Sequence, residues 1–424
     1  MLQPPYDRLP RLIAEGAPAA EASAVRGALL ASMLRFAKAA SPFYRDRIPD
    51  ALLQPNASAA LWPTVRRLTK DELRANDAAI KVANTPPFAG ATRESWTSGA
   101  TGAPFNCRVS ALADRMNAAV LARFYRWWEI DGAKDLLHIT IDREGYRDRP
   151  PIEMRQGWVD GDTRGKYHRL TVSTGLDAQL DHIAALRPAY LKTFGVHLGA
   201  LALRARERKM DLGFDAVMSG GVPLLADERR LAAEVFKCRV ADIYGSEELG
   251  IIAVQCPRCE NYHPSLETMH FEVLRDDGAP ARAGETGRVV ATSFLNFAMP
   301  LIRFEVGDRV ERAHGACPNS TVSLARIVGR EKHMFTQPDG QRFLPYVSLE
   351  EIASLGPIDR FRFVQTGRAT IEFRYTLSRT GEVDRERLEK VARKYLGAFD
   401  VVAVPMGDAD QMPNRKQLVF ESLL

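Results

Sequence analysis

The chain has few cysteines and no long apolar run. Five of its 424 residues are cysteine, and an odd count that includes the short pattern CPRC does not suit a secreted disulfide framework. No stretch of about 18 apolar residues occurs, so the sequence predicts no membrane span. The N-terminus, MLQPPYDRLPRLIAEGAPAA, lacks the apolar core of a signal peptide. These absences predict a cytoplasmic protein.

The sequence also lacks a strong charge imbalance. It has 58 Lys and Arg against 53 Asp and Glu, which leaves a net charge of +5. A nucleic-acid-binding chain would carry a concentrated basic stripe with interleaved aromatics. The basic run LRARERKM is instead typical of the solvated face of a helix. We therefore expect no nucleic acid and no membrane among the partners.

The length exceeds that of the usual single-core domain and predicts two domains. Between residues 135 and 246, short apolar runs alternate with helical patterns, which favours α/β layering with a parallel sheet. From about residue 268 the pattern becomes short alternating strands, and from about 330 it becomes α+β. The sequence thus predicts an α/β fold with a large N-terminal domain of layered mixed sheets and helices, 1–329, and a small α+β C-terminal domain, 330–424.

Helix boundaries carry local signals. Thr69 and Glu72 form the spacing of a capping box, and Ser110 is placed to cap the helix after it. Near the C-terminus, Asp384 is expected to begin a helix that Gly397 ends.

The loop SWTSGATGAP places hydroxyl side chains among glycines. It lacks the Gly-Lys-Ser/Thr ending of a Walker loop. Backbone N–H groups and hydroxyls in a glycine loop can still donate to phosphate oxygens. Taken alone, the loop favours a plain surface turn over a phosphate site, and both interpretations stay open at this point.

Three further stretches follow in order: ADIYGSEELG, PLIRFEVGDRV and IVGREK. With the loop, they resemble the adenylate-forming superfamily, and specifically its phenylacetate–CoA ligase branch. Further stretches that look like this branch include SPFYRDRIPD, LRPAYLKTFGVHLGAL and SGGVPLLADERR. The resemblance covers nearly the whole chain.

The resemblance implies activation of a carboxylic acid by attack on the α-phosphate of ATP, followed by transfer of the acyl group to a thiol. Negative charge on phosphoryl oxygens requires fixed donors and a divalent cation. Glu248 corresponds to the Mg²⁺ ligand, Tyr244 would stack on adenine, Asp242 would accept from its amino group, and Asp308 would bind the ribose hydroxyls. An alternative for Glu248 is a solvated acid at a helix start. The resemblance makes Thr101 of the loop a catalytic residue, together with Glu248. The remaining nucleotide positions are Thr97, Ser98, Gly99, Gly102, Gly220, Gly221, Gly245, Ser246 and Arg330.

The segment QMPNRKQLVF resembles the part of the family that carries a catalytic lysine, here Lys416. The resemblance makes 330–424 a lid that rotates between the two half-reactions. An ordinary surface lysine beside Arg415 is the alternative. Several positions depart from the family pattern: Ala103 replaces a lysine of the loop, Glu247 replaces threonine before the Mg²⁺ acid, and Val222 replaces an acid.

The stretch CPRCENYH offers metal ligands. Cys256, Cys259 and His263 have the spacing of a zinc knuckle, and Cys317 is the best candidate for a fourth ligand. Such a zinc ion would be structural, because four protein ligands leave no position for water. The alternative is a set of reduced thiols beside a surface histidine.

Two residues are candidate substrate contacts. Phe194 and His197 follow a strand end that looks like the wall of the acyl pocket. The acid is aromatic by family analogy, and the acceptor is CoA or a phosphopantetheine thiol. Alternatives are transfer to an acyl carrier protein or an amine, a catalytically silent nucleotide-binding homologue, and a zinc-knuckle nucleic-acid binder, which the low net charge disfavours.

Overall fold

A computed structural model describes residues 4–15, 19–53, 59–96, 105–141, 153–159, 162–315, 317–378, 380–397, 399–407 and 419–424. These residues fall into two compact units. The first unit consists of the described residues up to 96 with 105–131 and 243–328, and the second consists of those in 132–242 and 329–424. The division crosses the chain three times after residue 105, so neither unit is one continuous segment.

The helices and strands alternate along the chain as follows. The α-helices are α1 (Leu9–Glu15), α2 (Ala19–Ala40), α3 (Lys70–Ala75), α4 (Asp77–Ile80), α5 (Ala111–Trp127), α6 (Leu176–Leu186), α7 (Gly195–Glu207), α8 (Ala226–Val235), α9 (Leu349–Ala353) and α10 (Arg385–Tyr395). The strands are β1 (Thr92–Trp96), β2 (Asn106–Ser110), β3 (Leu136–Thr140), β4 (Glu153–Gln156), β5 (Lys166–Thr171), β6 (Tyr190–Thr193), β7 (Ala216–Gly220), β8 (Arg239–Ser246), β9 (Gly250–Gln255), β10 (Tyr262–Pro264), β11 (Met269–Leu274), β12 (Thr286–Ser293), β13 (Phe304–Arg312), β14 (Leu324–Arg330), β15 (Phe335–Thr336), β16 (Arg342–Phe343), β17 (Ile358–Gln365), β18 (Thr370–Leu377), β19 (Asp400–Pro405) and β20 (Phe420–Ser422).

The first unit is built on antiparallel pairing. Its strands follow the order β11-β12-β13-β14-β10-β9-β8, and the pairs β11–β12, β12–β13, β9–β10 and β8–β9 are antiparallel. A separate hairpin pairs β1 with β2. Helix α5 begins where Ser110 Oγ accepts from the backbone N–H of Ala113 at 3.4 Å, as its sequence predicts. Its apolar face buries Val120 and Phe124 completely.

The second unit contains the predicted parallel strands, in the order β8-β7-β6-β3-β5-β4, with β4 antiparallel to β5 at the edge. Strand β3 runs parallel to β5 and β6, and β6 runs parallel to β7. One face of this sheet carries the apolar side chains that helices α6, α7 and α8 cover, among them Leu137, Leu170, Leu191 and Val217. Burial of this face anchors the strands, and their carboxyl ends form the edge where such sheets bind ligands.

The C-terminal part of the second unit is a small α+β assembly. Its sheet has the order β19-β18-β17-β20, with β17 antiparallel to β18 and parallel to β20. Asp384 caps α10 by accepting from the N–H of Arg387 at 2.9 Å. Leu388 and Val391 of this helix pack into an aromatic core around Phe363 and Phe373.

The fold class predicted from the sequence is confirmed: a mixed α/β protein with a large multi-stranded sheet and a small C-terminal α+β region. The hairpin β1–β2 was not expected, because nothing in its sequence marks it as a pair. The domain bounds 1–329 and 330–424 stay a prediction. None of the helices in the described ranges is long and apolar enough to cross a membrane.

Candidate functional site

The segment ADIYGSEELG forms a β-hairpin. Strand β8 pairs with β9, and residues 247–249 form the turn between them. Gly250 has a φ of +73°, and a Cβ at this position would lie 2.2 Å from the Asn117 side-chain amide. Only glycine fits both constraints. Glu248 therefore lies in a tight turn and not at a helix start, which removes the simple alternative given above.

Glu248 is a buried carboxylate with a cationic partner. Its side chain is 7% exposed, and its Oε1 lies 3.3 Å from the Nζ of Lys70, the first residue of α3. Burial pushes the pKa of Glu248 upward, but Lys70, a backbone N–H and the Ser246 hydroxyl outweigh burial and lower the pKa. The carboxylate is thus held ionised, which is the form that binds a hard cation.

Lys70 was not identified from the sequence. It follows Thr69, whose hydroxyl accepts from the Glu72 N–H at 3.1 Å in the predicted capping box. A lysine in the first turn of a short helix is normally predicted to be exposed to solvent. Only the folded chain brings α3 to the β8–β9 turn, so no local pattern marks this ion pair.

Tyr244 and Asp308 meet in the core of the first unit. The Tyr244 hydroxyl donates to Asp308 Oδ2 at 2.8 Å, and the two residues are 7% and 8% exposed. Gly307, with a φ of +82°, precedes Asp308 within β13. Asp242 is also buried and lies two residues before Tyr244 on the same face of β8. The structure therefore brings together Tyr244 and Asp308, which are far apart in sequence.

Glu247, which precedes Glu248 in the turn, has its own partner. The Ser95 hydroxyl donates to Glu247 Oε2 at 2.9 Å. Ser95 lies on β1, immediately before the hydroxyl-rich loop. A further acid in the turn is thus bonded to the strand that leads into that loop.

In the second unit, the remaining described candidates follow the ends of parallel strands. Gly220 ends β7, and Gly221 follows with a φ of +80°. Phe194 directly precedes α7, and the centroid of its ring lies 5.2 Å from that of His197. His197 Nε2 lies 2.8 Å from Gln179 Oε1, and burial lowers the pKa of His197 to about 4, so the imidazole is neutral near pH 7.

Arg330 is the last residue of β14 and is partly buried. After it, the chain is held on α7 and α8 of the same unit. The Tyr346 hydroxyl donates to Asp227, and Arg206 pairs with Glu350 at 2.7 Å. The loop positions Thr97, Ser98, Gly99, Thr101 and Gly102, and the candidate lysine Lys416, lie outside the described residues.

The four predicted metal ligands converge. The ligand atoms of Cys256, Cys259, His263 and Cys317 all lie within 4.8 Å of one another. Cys256 follows β9, His263 lies on β10, and Cys317 follows β13. Strand pairing therefore brings Cys317 next to Cys256, which lies about 60 residues earlier in the chain. This places the candidate fourth ligand beside the other three.

Hydrogen bonds to neighbouring groups orient two of these side chains. His263 Nδ1 lies 3.1 Å from Ser323 Oγ and 3.4 Å from the Val322 carbonyl, so its Nε2 is left to face Cys259 Sγ at 3.5 Å. Asn319 Nδ2 donates to Cys256 Sγ at 3.3 Å. A histidine whose second nitrogen is hydrogen-bonded is typical of zinc sites. Three sulfurs and one nitrogen form the closed set that structural zinc prefers.

No family model and no curated protein matches the chain. Among solved structures, 2-hydroxyisobutyryl-CoA ligase in its postadenylation state with 2-HIB-AMP matches with a TM-score of 0.71 and 19% identity, over 99% of this chain and 94% of that one. The same enzyme with 2-HIB-AMP and CoA in the thioesterification state gives a TM-score of 0.61 and 18% identity, over 100% and 94%. ATP-bound MatB from Rhodopseudomonas palustris gives a TM-score of 0.50 and 17% identity, over 77% and 66%.

These identities are low, and what they establish is the fold. The chain has the fold of adenylate-forming CoA ligases over nearly its whole length. The predicted resemblance to the adenylate-forming superfamily is confirmed at this level. Membership of the phenylacetate–CoA ligase branch stays a prediction.

Proposed function

We propose that this protein is an ATP- and Mg²⁺-dependent ligase that converts a carboxylic acid into an acyl-adenylate and passes the acyl group to a thiol. The single observation that carries the proposal is the set of buried, partnered acids in the first unit. Glu248 beside Lys70 and Asp308 beside Tyr244 are buried carboxylates of the kind proposed to bind a cation and a pair of hydroxyls. The fold shared with 2-hydroxyisobutyryl-CoA ligase supports the same conclusion.

Each proposed role follows from the chemistry of the residue. Glu248 would hold Mg²⁺, which supplies positive charge to the phosphates when bound. Asp308 would accept from both ribose hydroxyls, since an ionised carboxylate binds two donors at once. Asp242 and Tyr244 would face adenine. Thr97, Ser98, Gly99, Thr101, Gly102, Gly220, Gly221, Gly245, Ser246 and Arg330 complete the proposed nucleotide set.

Lys70 is added to this set. The family lysine of the phosphate loop is replaced by Ala103, which removes one positive charge from the phosphate site. The ammonium of Lys70 already lies 3.3 Å from Glu248. It can therefore supply a positive charge beside the proposed magnesium ligand.

Lys416 is the proposed catalytic lysine, on a lid that spans 330–424. As a point charge it would bridge the substrate carboxylate and the α-phosphate. Phe194 and His197 are the proposed acyl-pocket contacts. Because the substrate carboxylate is ionised near pH 7, activation requires no general base, which agrees with the neutral state of His197.

CoA is the favoured acceptor, because 2-hydroxyisobutyryl-CoA ligase, which shares the fold, binds both 2-HIB-AMP and CoA. No feature of the described residues favours an acyl carrier protein or an amine over CoA. The mass of the product formed with each acceptor would identify the right one.

Pyrophosphate exchange tests the first half-reaction. We expect ATP–pyrophosphate exchange that depends on one class of acid, and loss of that exchange in Lys416→Ala with ATP binding retained. Arg415→Ala is the matched control and should exchange normally. Unchanged exchange in Lys416→Ala would remove this residue from the mechanism. Nucleotide binding without exchange for any acid would favour a catalytically silent homologue.

We also propose that Cys256, Cys259, His263 and Cys317 bind structural zinc. Purified protein should contain one zinc per chain by elemental analysis, and Cys259→Ser should lose it. Cys238→Ser, at a partly buried cysteine that packs against the apolar core of the second unit, is the control and should keep it. Full zinc content in Cys259→Ser would reject the ligand set.

A further inference from the structure

One face of the parallel sheet in the second unit carries a row of polar side chains. In the strand register, His138 of β3 lies between Lys192 of β6 and Arg169 of β5, and Arg169 faces Glu153 of β4. Residues in register share a face. The opposite face is the apolar one that α6, α7 and α8 cover. A sheet face of this kind, away from the apolar core, is not required for packing against those helices.

The charges along this row do not balance within the described residues. Arg169 Nε pairs with Glu153 Oε2 at 2.9 Å. His138 Nδ1 lies 2.8 Å from the Tyr167 hydroxyl, and burial, with Lys192 and Arg169 nearby, lowers the pKa of His138 to about 3. The imidazole is therefore neutral and adds no charge to the row, which leaves Lys192 as the cation without a carboxylate partner among the described residues.

Lys192 is the exception in the row. In the described part of the chain it makes no ion pair with a carboxylate, and burial lowers its pKa. An ammonium in such surroundings gains more from an anionic partner than one in water does. The partner that this position favours is thus an anion that arrives with a ligand.

The position of Lys192 relates it to the proposed acyl pocket. It lies two residues before Phe194 along the same strand direction, and its register partner Met218 lies two residues before Gly220. A strand rises about 3.3 Å per residue, so about 7 Å separates the level of Lys192 from that of Phe194 and Gly220. Because side chains stand roughly perpendicular to a sheet, a ligand on this face must itself span that distance to reach from Phe194 to Lys192.

We propose that Lys192 is a specificity-determining residue that selects carboxylic acids bearing a second anionic group at the end remote from the carboxylate that is adenylated. The proposal rests on the proposed function, and it names the substrate class of the same site. The second group, a carboxylate in the simplest case, pairs with the ammonium. A neutral acid of equal size leaves that charge without a partner.

Pyrophosphate exchange with matched pairs of acids tests this selection. Adipate is compared with heptanoate, and terephthalate with para-toluate, since each pair differs in the remote group and little in size. We expect the wild-type protein to prefer the diacid of at least one pair by about 10-fold or more in kcat/KM, the effect of one charge-assisted hydrogen bond.

Three variants complete the test. Lys192→Met should lower kcat/KM for the diacid by about 10- to 100-fold and change that for the monoacid by less than about 3-fold. Lys192→Arg should retain part of the preference. Lys166→Met, at an exposed lysine that begins β5, should behave as wild type. The Tm of Lys192→Met should be no lower than that of the wild-type protein, because methionine places no charge in this buried position.

The outcomes separate this inference from the proposed function. The role of Lys192 is overturned if the wild-type protein catalyses exchange without preferring either diacid. It is also overturned if Lys192→Met loses kcat/KM equally for both members of a pair. Either result leaves the proposed ligase activity standing. No exchange with any acid tested rejects the ligase proposal and this inference with it.

Discussion

The two units differ in whether the buried charged groups proposed to meet ligands already have a partner. In the first unit, the buried acids already contact donors of the same unit: Glu248 meets Lys70, and Asp308 meets Tyr244. In the second unit, the polar row holds a neutral His138 and a Lys192 that has no ion pair within the described residues. The contacts with Lys70 and Tyr244 hold the side chains of Glu248 and Asp308 in place without a ligand, whereas Lys192 gains a charged partner only from a bound ligand. The carboxylates of the first unit are therefore oriented by contacts within the protein, whereas no carboxylate among the described residues neutralises the Lys192 ammonium.

The largest effect on exchange activity is expected from a substitution of Glu248. Glu248→Gln keeps the size of the side chain but removes the charge that a magnesium ion requires. We expect acid-dependent exchange to fall by about 100-fold or more, since a bound metal contributes several kcal/mol of charge stabilisation. The measurement is the exchange rate over a range of magnesium concentrations.

Asp277→Asn, an exposed acid in a turn of the same unit, is the control for Glu248→Gln. It should exchange like wild type. Activity of Glu248→Gln equal to that of this control would show that the carboxylate does not bind the cation.

A smaller effect is expected at Asp308. Asp308→Asn keeps an oxygen that can accept from Tyr244 but loses the ionised acceptor proposed for the ribose. The KM for ATP should rise by about 30-fold, as expected for loss of a hydrogen bond to a charged group. Tyr244→Phe removes only the 2.8 Å bond within the protein and should raise the KM by less than about 5-fold. Equal effects of the two changes would mean that Asp308 serves the fold and not the nucleotide.

In the second unit, low pH should destabilise the folded state, because its buried histidines are neutral in that state. The pKa of His197 is lowered to about 4, against about 6.5 in an unfolded chain. Between these values the unfolded state binds the extra proton, so stability falls as the pH drops from about 6.5 towards 4 and is fully present above 6.5.

The expected contribution of His197 between pH 7 and pH 5 is about 2 kcal/mol of unfolding free energy. Denaturant unfolding of wild type and His197→Gln at both pH values measures it, because glutamine can bond to Gln179 without titrating. The same loss of stability between the two pH values in the variant would show that His197 is not the titrating group.

Much of the fold could be predicted from local signals. The strand and helix alternation of the second unit follows from apolar periodicity, and the caps at Thr69, Ser110 and Asp384 follow from side-chain chemistry. The spacing of Cys256, Cys259 and His263, with Cys317 as the candidate fourth ligand, predicted a metal cluster, and the ligand atoms of all four residues converge. Apart from Cys317, each of these signals lies within a short stretch of chain.

The parts that sequence could not supply depend on distant contacts. Lys70 looks like any lysine that begins a helix, and its ion pair with Glu248 exists only because α3 meets a hairpin that lies far along the chain. Tyr346 and Asp227 are likewise separated by 119 residues. Lys192 was overlooked because an isolated lysine in an apolar strand has no local mark; only the register with His138 and Arg169 reveals its surroundings.

The smallest effect concerns Glu247, where the chain departs from the family threonine. Its carboxylate accepts from Ser95 at 2.9 Å and places a further negative charge beside Glu248. Glu247→Thr removes that charge and keeps a hydroxyl that can bond to Ser95. If phosphates bind near this turn, the KM for ATP should fall by about 3-fold, in line with the small energies of partly screened charges. A rise in KM, with a higher magnesium requirement, would instead make Glu247 a contributor to cation binding, and the first unit would then use both acids of the turn.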